Sequence, residues 1–226
     1  MDINADFSKR VAVHAARLPW IPSPIKGVDR RMLDRVGDEV ARATSIVRYA
    51  PHSHFLPHTH GGGEEFLVLE GVFQDEYGNF PAGSYVRNPP TSRHTPGSEP
   101  GCVIFVKLWQ FDPVDRTQVR LDTTPMPFNP SPARRGVELI QLFRDDREDV
   151  RLERWPVNGA IALDASSGAE LLVLDGGFED GEDRFEPQSW LRLPPGSALQ
   201  ANAGPEGCKV WVKTGHLLRI EGLTRA

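Results

Sequence analysis

The chain has 226 residues, a formal net charge of −5, a quarter of its residues charged and 39% hydrophobic. No apolar run is long enough to cross a bilayer as a helix, and no concentrated basic patch is present to meet phosphates, so membrane and nucleic acid are not expected as partners. Twenty-one glycines and twenty prolines punctuate the chain with turns, which favours many short strands over long helices.

In chain order, residues 1–17 hold no apolar leader, so a cytoplasmic protein in a reducing compartment is expected. Leu18-Pro19-Trp20-Ile21-Pro22-Ser23-Pro24 is an extended, proline-rich lead-in. Met32, Leu33, Val36 and Val40 would share one helical face, but Gly37-Asp38 between two short apolar runs also reads as a turn. The second half decides: Gly136-Val137 and the following Glu138-Leu139-Ile140-Gln141-Leu142-Phe143 read as a strand, and both stretches are assigned as strands.

The stretch Pro57-His58-Thr59-His60-Gly61-Gly62-Gly63-Glu64-Glu65-Phe66-Leu67-Val68-Leu69-Glu70-Gly71 reads as a metal site. On a strand, His58 and His60 are two apart and point to one face, as two ligands of one ion must. Gly61, Gly62 and Gly63 let the backbone reverse through positive φ and bring Glu64 back towards the histidines at the head of an apolar strand. Gly71 then marks an expected turn. Two nitrogens and a carboxylate suit a first-row divalent ion with open positions. A fourth ligand is expected downstream at His94, with His52 and His54 as its rivals.

An internal repeat organises the rest. Glu65-Phe-Leu-Val-Leu-Glu-Gly-Val-Phe73 aligns without a gap on Glu170-Leu-Leu-Val-Leu-Asp-Gly-Gly-Phe178. Ser84-Tyr-Val-Arg87 aligns on Ser189-Trp-Leu-Arg192, Pro89-Pro90 on Pro194-Pro195, and Gly101-Cys-Val-Ile-Phe-Val-Lys107 on Gly207-Cys-Lys-Val-Trp-Val-Lys213. The chain is a duplicated domain, with halves at 1–115 and 116–226 and a linker near Asp112 to Pro127. Features in both halves are expected of the fold; features in one half are candidates for function. Leu163, Ala165, Ala169 and Leu199 stand where His58, His60, Glu64 and His94 stand, so one metal per chain is expected, in the first half. Arg87 and Glu65 recur as Arg192 and Glu170 and are read as structural. Arg93 faces Ala198 and is a candidate for orienting an anionic ligand. Cys102 and Cys208 occupy equivalent positions before apolar strands and are expected as small buried thiols, not a disulfide.

The spacing His58-x-His60-x3-Glu64-x6-Gly71 resembles the first motif of the cupin superfamily, with His52 where the motif has a leading glycine. Pro81-Ala82-Gly83, followed after a long insert by His94, resembles the second. That insert, with Arg87-Asn88-Pro89-Pro90 before Ser92-Arg93-His94, and the Gly63-Glu64-Glu65 step are similar to the cupin domain of the anti-sigma factor ChrR and its relatives. The resemblance implies an all-β bicupin of two tandem jelly-roll barrels. It places one divalent ion on His58, His60, Glu64 and His94, Fe2+ or Zn2+ first, with Ni2+ or Mn2+ as further candidates.

Two functions follow from the resemblance. The first is a non-haem iron dioxygenase acting on a small carbonyl compound, like the acetylacetone-cleaving cupins. The alternative is a non-catalytic metal-binding sensor related to ChrR. His14 alone cannot rebuild the zinc-binding helical module of an anti-sigma factor, so a sigma factor is not expected as a partner, whereas a small-molecule ligand is. The family resemblance also implies a homodimer.

Overall fold

The computed structural model describes residues 1–38 and 40–220. It is built of antiparallel strands, with two short 3-10 turns as the only helical segments among the described residues. Among the described residues no helix is long and apolar enough to cross a membrane. The chain divides into two compact units, residues 1–5 with 19–125 and residues 6–18 with 126–220.

In the first unit, neighbouring strands run in the order Val119–Asp122, Ser84–Asn88, Glu64–Asp75, Cys102–Leu108, Arg42–Tyr49, Val28–Val36, Ile21–Pro22. Gly37-Asp38 is the reversal between Val28–Val36 and Arg42–Tyr49, so the helix alternative for that stretch is excluded. Glu64–Asp75 is the strand on which the unit turns. Expected to end at Gly71, it continues to Asp75, because Gly71 forms a bend and not a turn. Its φ of +69° is open to glycine, and a Cβ there would lie 2.0 Å from the Gly101 carbonyl oxygen. Past the bend the strand pairs with Gly78–Pro81 and bridges to Gly97–Ser98, while His58–Thr59 and Arg93–His94 form a ribbon of their own. The apolar core comprises Phe66, Val68, Phe73, Phe80, Val86, Cys102, Ile104 and Val106.

The second unit repeats this plan. Val11–His14, Ser189–Leu193, Ala169–Glu179, Ser197–Thr214, Asp149–Trp155 and Glu138–Arg144 are neighbours in that order, and Ala160–Ala165 pairs with Ser197–Thr214. Gly176 repeats the bend of Gly71, with φ of +64° and Gly207 behind it. Leu163, Ala165, Ala169 and Leu199 are all buried in this core. Leu163 lies directly across from Leu199, as His58 lies across from His94. Burying a leucine side chain contributes about 1.5–3 kcal/mol, so packing here replaces the polar cluster of the first unit.

The outermost strand of each unit comes from outside the expected half. Val119–Asp122, inside the stretch expected as a linker and beyond residue 115, pairs with Ser84–Asn88; Val11–His14, near the N-terminus, pairs with Ser189–Leu193. The repeated arginines secure both arrivals. Arg87 is buried over the Phe111 ring and donates to Asp115 at 2.8 Å, while Arg192 is buried over Phe7 and donates to the Asp6 carbonyl. The structural reading of Arg87 therefore rests on a visible task. Glu65 is likewise buried and accepts the Tyr85 hydroxyl at 2.7 Å, as Glu170 accepts the Trp190 indole N–H. Cys102 and Cys208 are buried free thiols, pushed by burial up to about 11 and about 12.

Candidate metal centre

His58 and His94 face each other across the two-stranded ribbon, so both rings leave one side of it. The ladder extends one residue further, with the His60 N–H donating to Ser92 and the Thr91 N–H donating to His60, which brings His60 to the same side. The chain then reverses through the three glycines, and Glu64 begins the next strand. Of the three, only Gly63 is left-handed, at φ +77°, so the expected use of positive φ holds for one glycine and not for Gly61 or Gly62. Those two are required for space: a Cβ on either would stand 3.0 or 2.3 Å from the Trp109 indole.

The three imidazoles are mutually tilted, with centroids 4.7–5.0 Å apart and planes 70–77° to one another, so their edges converge. One nitrogen from each lies within 4.8 Å of the others, a triad of metal-binding type. Glu64 joins it: its Oε2 is 3.4 Å from His60 Nε2 and 3.7 Å from His94 Nε2, and the two Nε2 atoms are 2.9 Å apart. Metal–nitrogen bonds of 2.0–2.1 Å put neighbouring donors about 2.9–3.4 Å apart, so His60, Glu64 and His94 stand near the spacing an ion needs, while the widest pair of the triad, up to 4.8 Å apart, would draw together on binding. His60, Glu64 and His94 are buried at 8%, 6% and 2% exposure, whereas His58 is exposed. The donor set fits a divalent cation.

Supporting contacts fix which ring nitrogen faces the centre. His94 Nδ1 lies 3.2 Å from Asp75 Oδ2, and His58 Nδ1 lies 3.2 Å from the Leu56 carbonyl. A proton on each Nδ1 leaves both Nε2 lone pairs free for a metal. The Asn88 amide donates to Glu64 Oε2 at 3.2 Å, restraining that carboxylate. Burial holds His60 below the usual imidazole range. Burial opposes charge on His94 too, but the Asp75 hydrogen bond and the nearby carboxylates outweigh it and raise this ring above the usual value.

The rivals lie elsewhere. His52 and His54 are exposed and both contact Glu99 at 2.9 Å. His52, where the first cupin motif has glycine, takes up a left-handed φ of +57°. Arg93 is exposed and, as the strand neighbour of buried His94, points to the opposite face, away from the cluster.

Asp75, Asn88 and Trp109 went unnoticed in the sequence. Asn88 aligns with Leu193, between matched segments on either side, and that polar-to-apolar contrast was available. Asp75 aligns with Asp180, and the two share one task and differ in the other. Oδ1 of each aspartate accepts backbone N–H groups of the following turn, but the remaining oxygen goes to His94 in one unit and to Arg10 in the other.

Residues 8–112 match the family model of the ChrR cupin-like domain. No curated protein matches the sequence. Among solved structures, a candidate dioxygenase from Nostoc punctiforme is similar with a TM-score of 0.76 at 15% identity, over 94% of this chain and 85% of that one. A candidate glyoxylate-induced protein of Pseudomonas aeruginosa gives 0.71 at 14% identity, over 90% and 87% of the two chains. The bacterial pirin YhhW of Escherichia coli, solved with nickel(II), gives 0.64 at 14% identity, over 91% and 98%. At these identities the likeness is one of fold. The chain therefore shares its fold with these solved structures, and its residues 8–112 match the ChrR cupin-like domain.

Proposed function

We propose that this protein is a metal-dependent cupin enzyme of the non-haem iron dioxygenase type, acting on a small carbonyl compound. The observation that carries the reading is the convergence of three imidazoles and one carboxylate, with His60, Glu64 and His94 buried and His58 exposed. Four protein ligands would close the sphere of a tetrahedral ion but leave two positions open on an octahedral one, so an ion such as iron(II) held here keeps room for substrate. A first-row divalent ion held by His58, His60, Glu64 and His94 would polarise substrate oxygens as a Lewis acid and offer open positions. The protein's own residues do the rest. Asp75 and the Leu56 carbonyl set the tautomers of His94 and His58, Asn88 restrains Glu64, and Phe73, packed 5.8 Å from the His94 ring, helps exclude water from the inner wall. The solved neighbours named as a candidate dioxygenase and a nickel-bound pirin are consistent with such a centre on this fold.

The test is anaerobic loading with iron(II), addition of nitric oxide as a dioxygen surrogate, and oxygen-uptake measurements with a series of small 1,3-dicarbonyl compounds. The enzyme reading expects a nitrosyl spectroscopic signal and uptake that depends on the dicarbonyl. Metal bound with no nitrosyl signal and no uptake would favour the second reading, a metal-binding sensor, which is supported by the match to the ChrR cupin-like domain.

A further inference from the structure

The residue that ends the strand Cys102–Leu108 differs between the repeats in a way the fold does not call for. Trp109 has a left-handed backbone, φ +58°, a conformation sterically disfavoured for a bulky residue. Its equivalent is Gly215, φ +90°, where the same conformation is open without strain. The equivalence is structural as well as sequential: Trp109 N–H donates to the Gly63 carbonyl at 3.1 Å, and Gly215 N–H to the Gly168 carbonyl at 3.4 Å. The second unit thus meets the backbone requirement with glycine, while the first places an indole there.

The facing turn changes in step. Gly63 and Gly168 are both left-handed, and a Cβ on either would strike the side chain two residues past Trp109 or Gly215, namely Phe111 or Leu217. That part is common to the fold. Gly61 and Gly62, however, align with Ser166 and Ser167. A Cβ on Gly62 would lie 2.3 Å from the indole of Trp109, so glycines stand under the tryptophan and serines stand where glycine replaces it. The turn covered by Trp109 is the link between His60 and Glu64, which are 3.4 Å apart across the centre; the corresponding turn joins Ala165 to Ala169 and has no polar group to aim.

We propose that Trp109 is a positioning residue, its indole seated on Gly61 and Gly62 to hold the turn that sets His60 against Glu64. The proposal rests on the metal reading for its purpose, but the seating itself does not need an ion. Strain at one backbone position persists where surrounding contacts over-determine it, and the contact here is with the turn that carries two donors of the cluster.

The experiment combines three measurements on Trp109→Gly, Trp109→Phe, Gly62→Ser and the Gly62→Ser/Trp109→Gly pair. Hydrogen exchange of the metal-free protein is expected to speed up at residues 60–64 by about tenfold in Trp109→Gly. Zinc affinity by chelator competition should fall about tenfold to hundredfold, as for other groups that orient ligands, and Trp109→Phe should recover most of it. In melting curves Gly62→Ser should destabilise the parent protein, yet do little in the Trp109→Gly background, where the clash is gone. Unchanged exchange and affinity in Trp109→Gly, or equal destabilisation by Gly62→Ser in both backgrounds, would overturn the proposal. If the parent protein itself binds no zinc, the metal reading fails, and the exchange and melting measurements still decide what Trp109 does.

Discussion

Asp75→Asn is the substitution that most sharply separates a metal centre from a polar cluster. The asparagine keeps the size of the side chain and keeps an oxygen for the Tyr77 N–H, which Asp75 Oδ1 now accepts at 2.8 Å, so the turn survives. The other terminal atom becomes an NH2 group, 3.2 Å from His94 Nδ1 in place of a carboxylate oxygen. Two donors cannot pair, so Nδ1 must accept and the imidazole proton moves to Nε2, the nitrogen that faces His60 and Glu64. Metal binding must then reverse that tautomer and lose a hydrogen bond to a charged group, of about 1.5–3 kcal/mol. At about 1.4 kcal/mol per factor of ten, affinity should fall about tenfold to hundredfold. Chelator competition with zinc measures it. Asp180→Asn is the control, since Asp180 occupies the same turn position in the second unit and its free oxygen serves Arg10. Affinity unchanged in Asp75→Asn, or lost equally in Asp180→Asn, would refute the role assigned to the Asp75 hydrogen bond.

Two further outcomes are expected. His94→Ala should weaken zinc binding by more than about a hundredfold, whereas His54→Ala, whose ring contacts Glu99 outside the cluster, should change it by less than about tenfold; the reverse ranking in chelator competition would place the site beside His52 and His54. Binding should also weaken on acidification, by up to about tenfold per pH unit for each proton displaced, starting at a pH above the ordinary imidazole value because His94 is raised. In the metal-free protein the raised His94 stabilises the fold below its unfolded value and loses that contribution as pH rises through the folded one. The lowered His60 acts oppositely, destabilising the fold as pH falls below the unfolded value. The gap in melting temperature between metal-loaded and metal-free protein should therefore narrow as pH falls, and a gap that widens would contradict the ligand roles of both rings.

The hairpin His58 to Glu64 was legible because its geometry is local. A two-residue spacing and a glycine turn fix three side chains whatever surrounds them, and the duplication then exposed Leu163, Ala165, Ala169 and Leu199 as core replacements. His94 was legible less directly, through a looser motif and its contrast with Leu199, and the ribbon pairs it with His58. What stayed hidden depends on which distant segment arrives at a given face. Asp75 and Asp180 look alike in sequence because both cap a turn, and only the packing of His94 or Arg10 beside them separates their roles. The outer strands Val11–His14 and Val119–Asp122 are four residues each, too short to declare a partner, and their placement is set by pairing across more than thirty residues in one case and most of the chain in the other. Trp109 against Gly215 was readable from the repeat, but its meaning needed the left-handed backbone that both share.

The most direct test of the centre is metal stoichiometry by elemental analysis on protein reconstituted with iron(II) or zinc and freed of loose metal, for the parent chain and for a His60→Ala/His94→Ala variant. One tightly held ion per chain in the parent and none in the variant is the expected result, because the first unit brings His58, His60, Glu64 and His94 together and the second fills the same positions with buried Leu163, Ala165, Ala169 and Leu199. Two ions per chain, or one ion retained by the variant, would show that the metal is held by other residues.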